Sequence, residues 1–336
     1  MHPVSRTTRA LMAFAAAAVI ACACLLSLPP ASATAQDGPE QVTVGLYIND
    51  IQQLDLHTYT YLIDFYLWLR WRDPDLDPAA TIEFMNASSP WDSRATQLYD
   101  EPVPQPDGTL YQAIRYQGAF TNKFPLQRYP FDEQSLAIVF EDNTYPQDVL
   151  VYVPDDPPVT MNPETDLPGY ELQPPKFAII QQDYPTTFGD LTLDAPAPYS
   201  RGNVDIHLTR PPIAAAIKLL LPILLVVLVA ALTFFIDPAY PEARVGMGIT
   251  ALLTLVALQF TTNAELPQTD YLIMLDMLYI CAYAFVFAIM ASAVYTTWMA
   301  TREELDRAVS FDRKAFAAST AAYLLCVGAS MFFFLR

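Results

Sequence analysis

The chain has 336 residues, of which 53% are hydrophobic and 16% are charged, and its formal net charge is −18. This apolar excess is too large for one soluble domain of average composition, and the aromatic content excludes a disordered chain. Residues 37–210 contain 27 acidic and 9 basic residues, whereas the remainder contains 9 of each. No basic stripe is present that could neutralise phosphates, so we expect no nucleic acid as a partner.

Residues 1–35 have the pattern of a secretory signal peptide. Arg6 and Arg9 precede an apolar stretch from Leu11 to Leu28, and small residues suited to cleavage follow. The alternative is a lipoprotein signal, in which Cys22 would carry the lipid. In either case we expect residues 36–210 to be exported.

Residues 36–210 show the alternation that is typical of strands. From Tyr61 to Trp71 the odd positions are all apolar, whereas the even positions are mixed. Further strands are predicted at 42–48, 110–116, 135–140, 149–153, 177–182 and 204–209. Since proline-rich connections separate these short runs, the sequence predicts a β-sandwich, and it must fold without disulfides because it contains no cysteine.

Beyond Arg210 the sequence predicts a four-helix transmembrane bundle, residues 211–336. Four apolar stretches approach or exceed the roughly 20 residues that a span requires; they lie at about 213–236, 245–262, 271–299 and 315–335. Basic residues are concentrated in the first and third connections: Arg244, Arg302, Arg307, Arg313 and Lys314. The positive-inside rule then places the N-terminal domain and the C-terminus outside the cell (inner or plasma) membrane, in the extracellular space or periplasm.

One stripe of the second helix carries small, hydroxyl and bulky residues at helical spacing: Gly246, Thr250, Leu253, Ala257 and Phe260. A close helix–helix interface and the wall of a pore both explain this stripe. Glu242 lies just before it, and a symmetric assembly would repeat this carboxylate as a ring that selects cations. In a pore, Leu253 helped by Phe260 would form the gate, since apolar constrictions exclude water.

No catalytic or metal site is predicted. Only His57 and His207 remain after removal of the signal, and neither has the spacing of a metal ligand. Nucleophile, zinc-protease and phosphate-loop motifs are absent from the sequence. We therefore expect neither enzyme activity nor a cofactor.

An ordered set of motifs runs through residues 41–336. The most specific reads FPLQRYPFDEQ from Phe124 to Gln134; the others are Trp71-Arg72-Asp73, Glu83-Phe84-Met85-Asn86, Arg210 before Pro212, Pro241 to Gly246, and Leu266-Pro267. Together they resemble the bacterial pentameric ligand-gated ion channels of the Cys-loop receptor superfamily. Asn122 and Leu136 stand where the loop cysteines of animal receptors fall, and bacterial members usually lack that disulfide.

This resemblance implies a homopentamer with an agonist pocket between neighbouring β-domains. The implied pocket residues are Tyr66, Phe84, Arg115, Tyr145, Tyr184 and Tyr199, and those that couple the pocket to the pore are Asp55, Tyr129, Pro130, Phe131, Asp132, Arg210 and Pro267. Aromatic groups favour an amine through cation–π attraction, whereas Arg115 could bind a carboxylate. Ordinary core packing and a surface ion pair are the alternatives for these residues. Asp132 and Arg210 are expected to pair where the β-domain meets the membrane.

Two features of the resemblance concern ligand and ion preference. The chain is shorter between Asp73 and Glu83 than in familiar members, which would reshape the pocket. The stretch from Val245 to Thr250 resembles anion-selective members, but Glu242 resembles cation-selective ones and lies directly on the ion path.

The sequence therefore predicts a ligand-gated channel that passes monovalent cations and is opened by an unidentified small molecule. Protons are the less expected trigger, because the second helix has no titratable residue between Val245 and Thr262. The alternative is a membrane-anchored periplasmic binding or sensor protein that conducts no ions.

Overall fold

Strand β2 (Thr60–Trp71) shows how the N-terminal half packs. The computed structural model describes residues 38–88, 93–189, 191 and 195–336. Every odd position of β2 from Tyr61 to Trp71 is at most 2% exposed, so the apolar face found in the sequence is the core face. The predicted signal peptide, with Cys22, lies outside the described residues.

Eleven strands occur in the described part of the chain. They are β1 (Glu40–Asp55), β2, β3 (Ile82–Phe84), β4 (Arg94–Gln97), β5 (Val103–Pro104), β6 (Leu110–Thr121), β7 (Glu133–Asp142), β8 (Leu150–Met161), β9 (Glu171–Leu172), β10 (Lys176–Gln182) and β11 (Tyr199–Thr209). One sheet has the order β4-β6-β2-β1-β8 with β5 on β6, and the other has the order β10-β11-β7-β3 with β9 on β11. Only β1 and β8 pair in parallel among these strands. The predicted β-sandwich is confirmed.

Aromatic rings from both sheets meet in the core of this sandwich. Phe65 of β2 lies 5.5 Å from Tyr116 and 6.0 Å from Phe120 of β6, measured between ring centroids. Phe84 of β3, in the other sheet, lies 5.4 Å from Phe65 and 6.4 Å from Phe140 of β7. Burying each large side chain contributes about 1.5–3 kcal/mol, so the sandwich is stabilised within one chain.

Four long helices follow the strands: α1 (Pro212–Ala231), extended by a 3-10 turn at Leu232–Phe235, α2 (Pro241–Ala264), α3 (Met274–Ala300) and α4 (Leu305–Leu335). All four are long and apolar enough to cross a membrane. The C-terminal end of α2 and the N-terminal end of α3 contact the β-domain. We call this the proximal end of the bundle, and the other the distal end.

Helices α2 and α4 begin earlier in the chain than hydropathy alone indicates, whereas α3 begins three residues later, at Met274. Helix α2 starts at Pro241, so Arg244 is a helical residue rather than the end of a loop. Helix α4 starts at Leu305, so Arg307, Arg313 and Lys314 lie in its first turns rather than in the connection. Charged residues can continue a helix beyond its apolar part, and an apolar window therefore misplaces its start.

A disulfide joins Cys281 of α3 to Cys326 of α4, with Cα atoms 6.1 Å apart. The sequence places both cysteines in apolar runs and does not reveal their pairing. Helix α4 otherwise buries few side chains, namely Ala308, Asp312 and Ser330. The bridge therefore joins this outer helix covalently to the bundle, in addition to ring contacts such as that of Tyr323 with Phe285.

Candidate functional site

A cavity of about 480 Å³ lies at one edge of the β-domain, and we call it the acidic pocket. Its lining includes Glu83 and Met85 beside β3, Glu141 and Asp142 at the end of β7, and Tyr184, Phe188 and Tyr199 around the β10–β11 loop. The Tyr184 ring lies 5.2 Å from Phe188 and 5.9 Å from Tyr199, centroid to centroid. The pocket thus combines carboxylates with an aromatic wall.

One cation and one hydroxyl already engage the Glu141 carboxylate. Arg201 donates from Nε to Glu141 Oε1, and Tyr184 donates its hydroxyl to Glu141 Oε2 at 2.8 Å. Arg201 Nη2 also donates to the Tyr184 oxygen at 3.0 Å. This triad ties the β10–β11 loop to β7.

Asp142 is the other buried acid of the pocket, and no ion pair neutralises it among the described residues. The Thr81 hydroxyl donates to Oδ2 at 2.5 Å, and the backbone N–H groups of Thr144 and Tyr145 donate to Oδ1 at 2.9 and 2.7 Å. Burial raises the pKa of Asp142 above its ordinary value, although these hydrogen bonds oppose the change.

The structure separates the six residues assigned to the agonist pocket. Tyr184 and Tyr199 line the acidic pocket, whereas Phe84 turns into the aromatic core because side chains alternate along β3. Tyr145 is half-buried and packs against the core. Phe84 and Tyr145 therefore do not line the acidic pocket within one subunit, and their place in an agonist pocket between subunits stays a prediction. The acidic pocket also contains Glu83, Glu141 and Asp142, which the sequence analysis did not assign to a pocket.

Tyr66 and Arg115 lie together on the other sheet, at paired positions of β2 and β6. The Arg115 guanidinium is 5.4 Å from the centre of the Tyr66 ring. It also binds Asp64 with both Nε and Nη2, at 3.1 and 2.7 Å. These hydrogen bonds hold the pKa of Asp64 below its ordinary value, and the ion-pair alternative for Arg115 is the one that the geometry favours.

Arg210 is the centre of the junction between the β-domain and α1. Its Nε donates to Asp132 Oδ1 at 3.1 Å and its Nη2 donates to the Tyr170 hydroxyl at 2.6 Å. The guanidinium also stacks on the rings of Tyr129 and Tyr170, at 5.1 and 4.6 Å. Burial raises the pKa of Tyr170 to about 12. Burial opposes the charged form of Arg210, but Asp132 and the two tyrosines outweigh this effect and hold the pKa of Arg210 above its ordinary value.

The loop that carries the FPLQRYPFDEQ motif, Phe124 to Gln134, contacts the proximal end of the bundle directly, and we call it the signature loop. The backbone N–H of Met274 donates to the Gln127 carbonyl at 2.9 Å, and the Leu126 N–H donates to the Tyr271 hydroxyl at 3.3 Å. Tyr129, Pro130 and Asp132 are buried within this loop, with a cis peptide bond before Pro130, and Phe131 is half-buried. Asn122 donates its side-chain amide to the Ser135 carbonyl, so a hydrogen bond closes the base of the loop.

A second contact is made by the β1–β2 turn. His57 Nδ1 lies 3.0 Å from the carbonyl oxygen of Leu266, next to the buried Pro267. Asp55 accepts hydrogen bonds from the backbone N–H groups of His57 and Thr58, at 2.9 and 3.3 Å, and so shapes this turn. Burial raises the pKa of Asp55, but the Thr58 side chain, these backbone hydrogen bonds and the nearby His57 together lower it below its ordinary value.

The stripe on α2 faces away from its own bundle. Leu253 and Phe260 are 64% and 73% exposed, and Gly246, Thr250 and Ala257 are exposed as well. The opposite face buries Gly248, Ala251 and Leu255 within the bundle. Glu242, in the first turn, is exposed.

The comparisons with known proteins agree with this arrangement. Residues 219–330 match the family model for the neurotransmitter-gated ion-channel transmembrane region. Over 320 residues the chain is 24% identical to the proton-gated ion channel of Gloeobacter violaceus, covering 90% of this chain and 84% of that protein. It is 24% identical over 283 residues to gamma-aminobutyric acid receptor subunit beta-4 of Gallus gallus, covering 78% of this chain and 56% of the receptor subunit.

A third relative is pH-sensitive chloride channel 2 of Anopheles gambiae, which is 25% identical over 294 residues and covers 79% of this chain and 47% of that protein. The chain thus spans about half the length of these two animal relatives. A β-sandwich followed by four spanning helices, with this transmembrane match, defines a multi-pass membrane protein of the ligand-gated ion channel class. Over most of its length the chain is similar to the pentameric ligand-gated channels of the Cys-loop superfamily, including a bacterial one.

Proposed function

We propose that the chain assembles as a homopentamer around a central, cation-selective pore that α2 lines. The observation that carries this proposal is the exposure of the whole α2 stripe from Gly246 to Phe260, while the opposite face is buried. An apolar patch of this kind requires a partner. Five copies arranged around an axis would turn the stripes toward each other and enclose a channel.

In this arrangement Glu242 forms a carboxylate ring at the distal, cytoplasmic mouth. It is exposed, so its charge is available to passing ions. Leu253, about one helical turn beyond Thr250 toward the proximal end, forms the apolar gate, and Phe260 lies two turns further along the same stripe. The exported β-domain binds the agonist, and the contacts of Arg210, Gln127 and His57 transmit the change to the helices.

The acidic pocket favours an organic cation as agonist. Glu83, Glu141 and Asp142 outnumber Arg201, and the rings of Tyr184 and Tyr199 offer cation–π contacts worth about 0.5–2 kcal/mol each. Tyr66 lies on the opposite sheet, so Tyr66 of one subunit would complete the pocket of the next. An amine is the ligand class that suits this lining.

Protons are the second candidate trigger. Burial raises the pKa of Asp142, so this pocket acid takes up a proton more readily than an ordinary aspartate. Two of the relatives are named a proton-gated ion channel and a pH-sensitive chloride channel.

Single-channel recording on the purified protein in planar bilayers tests the channel. Unitary currents are expected, whereas a non-conducting sensor would give none. Reversal potentials in a KCl gradient then test selectivity: Glu242→Gln should lower cation conductance and Glu242→Ala should weaken the preference for K⁺. Glu303→Gln, an exposed acid at the same end, is the control. Wild-type reversal potentials in both Glu242 variants would contradict the carboxylate ring.

A second recording identifies the trigger. Amines are applied at constant neutral pH, and in separate cells the pH is stepped from about 7.5 to about 4.5 without amines, a range that spans ordinary histidine and carboxylate pKa values. Currents with an amine and none with acid support the organic cation. Sustained currents with acid alone support protons, and their loss in Asp142→Asn or in His57→Ala identifies the responsible group.

A further inference from the structure

The first turn of α2 carries two opposite charges, which differ in their exposure to solvent. Glu242 is exposed, whereas Arg244 is completely buried at the distal end of the bundle. The electrostatic potential at the distal mouth of the pore takes its sign from whichever of these two charges acts on passing ions. The sequence alone places both within one helical turn.

Arg244 is held by two other helices. Its Nη2 donates to Asp312 Oδ2 of α4 at 2.8 Å, and its Nη1 donates to Thr296 Oγ1 of α3 at 2.8 Å. Ser292 of α3 donates to the other Asp312 oxygen at 3.5 Å. This network turns the guanidinium away from the exposed stripe of α2 and into the bundle.

Asp312 is the residue that neutralises this cation. It is 3% exposed, and among the described residues it forms the ion pair of Arg244. The Nε of Arg244 is buried without a hydrogen-bond partner, and Thr296, which accepts from Nη1, is uncharged. An unpaired charge in a medium of low dielectric constant acts over a long distance, whereas a close ion pair has a weak external field.

We propose that Asp312, on the outermost helix, is a specificity-determining residue of the pore. It cancels the charge of Arg244 and thereby leaves Glu242 to set the negative potential at the distal mouth. Asp312 acts through Arg244 and touches no permeant ion, so it is a positioning and neutralising residue. The inference rests on the proposed pore, in which Glu242 faces the ion path.

The test is the ratio of K⁺ to Cl⁻ permeability from reversal potentials in a KCl gradient. Asp312→Asn leaves Arg244 uncompensated, and the ratio should fall by a factor of about three to ten, since a unit charge on the order of 10 Å from an ion acts this strongly at an effective dielectric constant of about 20 with some screening. Asp312→Glu keeps the pair and should retain the wild-type ratio. Glu304→Gln, which removes an exposed acid paired with Arg307 at the same end, is the matched control and should change nothing.

A purely structural role would not shift ion preference. Replacing both partners, Arg244→Met with Asp312→Leu, removes both charges and should restore the wild-type ratio. If Asp312→Asn alone fails to reach the membrane, pentamers that mix it with wild-type subunits should show a graded fall in the ratio. An unchanged ratio in Asp312→Asn or in these mixed pentamers, or a lowered ratio in the double variant, overturns the inference.

This outcome is separable from failure of the proposed pore. If Glu242→Gln changes selectivity and Asp312→Asn does not, the carboxylate ring stands and the role of Asp312 is wrong. If no unitary currents occur in the wild type, the channel proposal itself fails, and the role assigned to Asp312 fails with it.

Discussion

The β-domain and the helical bundle differ in how much of their apolar surface and charge is buried or paired within one chain. The alternate residues of β2 and their partners in both sheets are buried within the single subunit, and the acids Asp64, Asp132 and Glu141 each have an arginine partner. In the bundle, large apolar side chains such as Leu253, Phe260 and Phe287 remain exposed. The sandwich buries its apolar face within one chain, whereas the bundle exposes an apolar surface that lipid, and in the proposed pentamer other subunits, would cover.

This difference teaches where substitutions act. In the sandwich and at its junction with α1, a change removes contacts within the chain and should lower stability. On the exposed face of α2, a change removes nothing that the subunit itself provides, so it should alter the assembled channel instead. The four predictions that follow test this division.

The largest effect is expected for Arg210→Ala. It leaves Asp132, which is 2% exposed, as an uncompensated buried carboxylate, and loss of one partner from a buried pair costs about 3–5 kcal/mol. Arg307→Ala breaks an exposed pair and should cost about 0–1 kcal/mol. Thermal melting of the detergent-solubilised protein compares the two, and equal melting temperatures would show that the junction does not depend on this pair.

Leu253→Ser should leave stability unchanged and raise the current in the absence of agonist. A hydroxyl ring hydrates the constriction, and a tenfold rise in resting current corresponds to about 1.4 kcal/mol in the closed–open equilibrium. Leu252→Ser is the matched control on the same helix, because its side chain is only 37% exposed and lies off the stripe. Whole-cell recording checks both; a silent Leu253→Ser channel at normal surface density would move the gate elsewhere, with Phe260 next.

Asn122→Ala removes the hydrogen bond that closes the signature loop. The free energy of unfolding should fall by about 1 kcal/mol, since this is the net contribution of a typical hydrogen bond. Because this loop contacts α3 through Gln127, the agonist concentration for half-maximal current should also rise. Gln97→Ala, which removes an exposed amide on β4 outside the acidic pocket, is the comparison, and equal behaviour of the two variants would assign no role to the loop closure.

The smallest effect is the pH dependence of stability. The pKa of Asp142 is raised in the folded state, so its contribution is fully present below the ordinary aspartate pKa and is lost as the pH rises through the folded value. Asp142→Asn should therefore gain stability relative to wild type between about pH 4 and pH 7. Asp64, whose pKa is lowered by Arg115, has the opposite sign and a lower window: Asp64→Asn should lose stability relative to wild type as the pH rises from about 2 to about 5, because the folded carboxyl ionises before the unfolded one.

Melting temperatures of both variants from about pH 2 to about pH 7 check the signs. The melting-temperature difference from wild type should change with pH in opposite directions for Asp142→Asn and Asp64→Asn. A change in the same direction would contradict the opposite environments assigned to these two carboxyls.

Much of the fold could be predicted because it depends on local patterns. Alternation located β2, and uninterrupted apolar length located α1 to α3 within a few residues. The early start of α4 could not be predicted in this way, since Arg307, Arg313 and Lys314 make its first turns polar while remaining helical. Short strands such as β3 and β5 also escaped, because two or three residues show no period.

The sequence by itself determined the two-part architecture, the stripe on α2 and the signature loop with Arg210 nearby, because periodicity and apolar length are properties of neighbouring residues. The pairing of Asp132 with Arg210 was expected from the family resemblance, but only the tertiary structure decided the other two buried pairs: Glu141 with Arg201, and Asp312 with Arg244. The partners of these two pairs are 60 and 68 residues apart in the chain. Charge pairing depends on distances in space that no local pattern records, and for this reason Arg244 reads as a loop cation in the sequence and is a buried one in the fold.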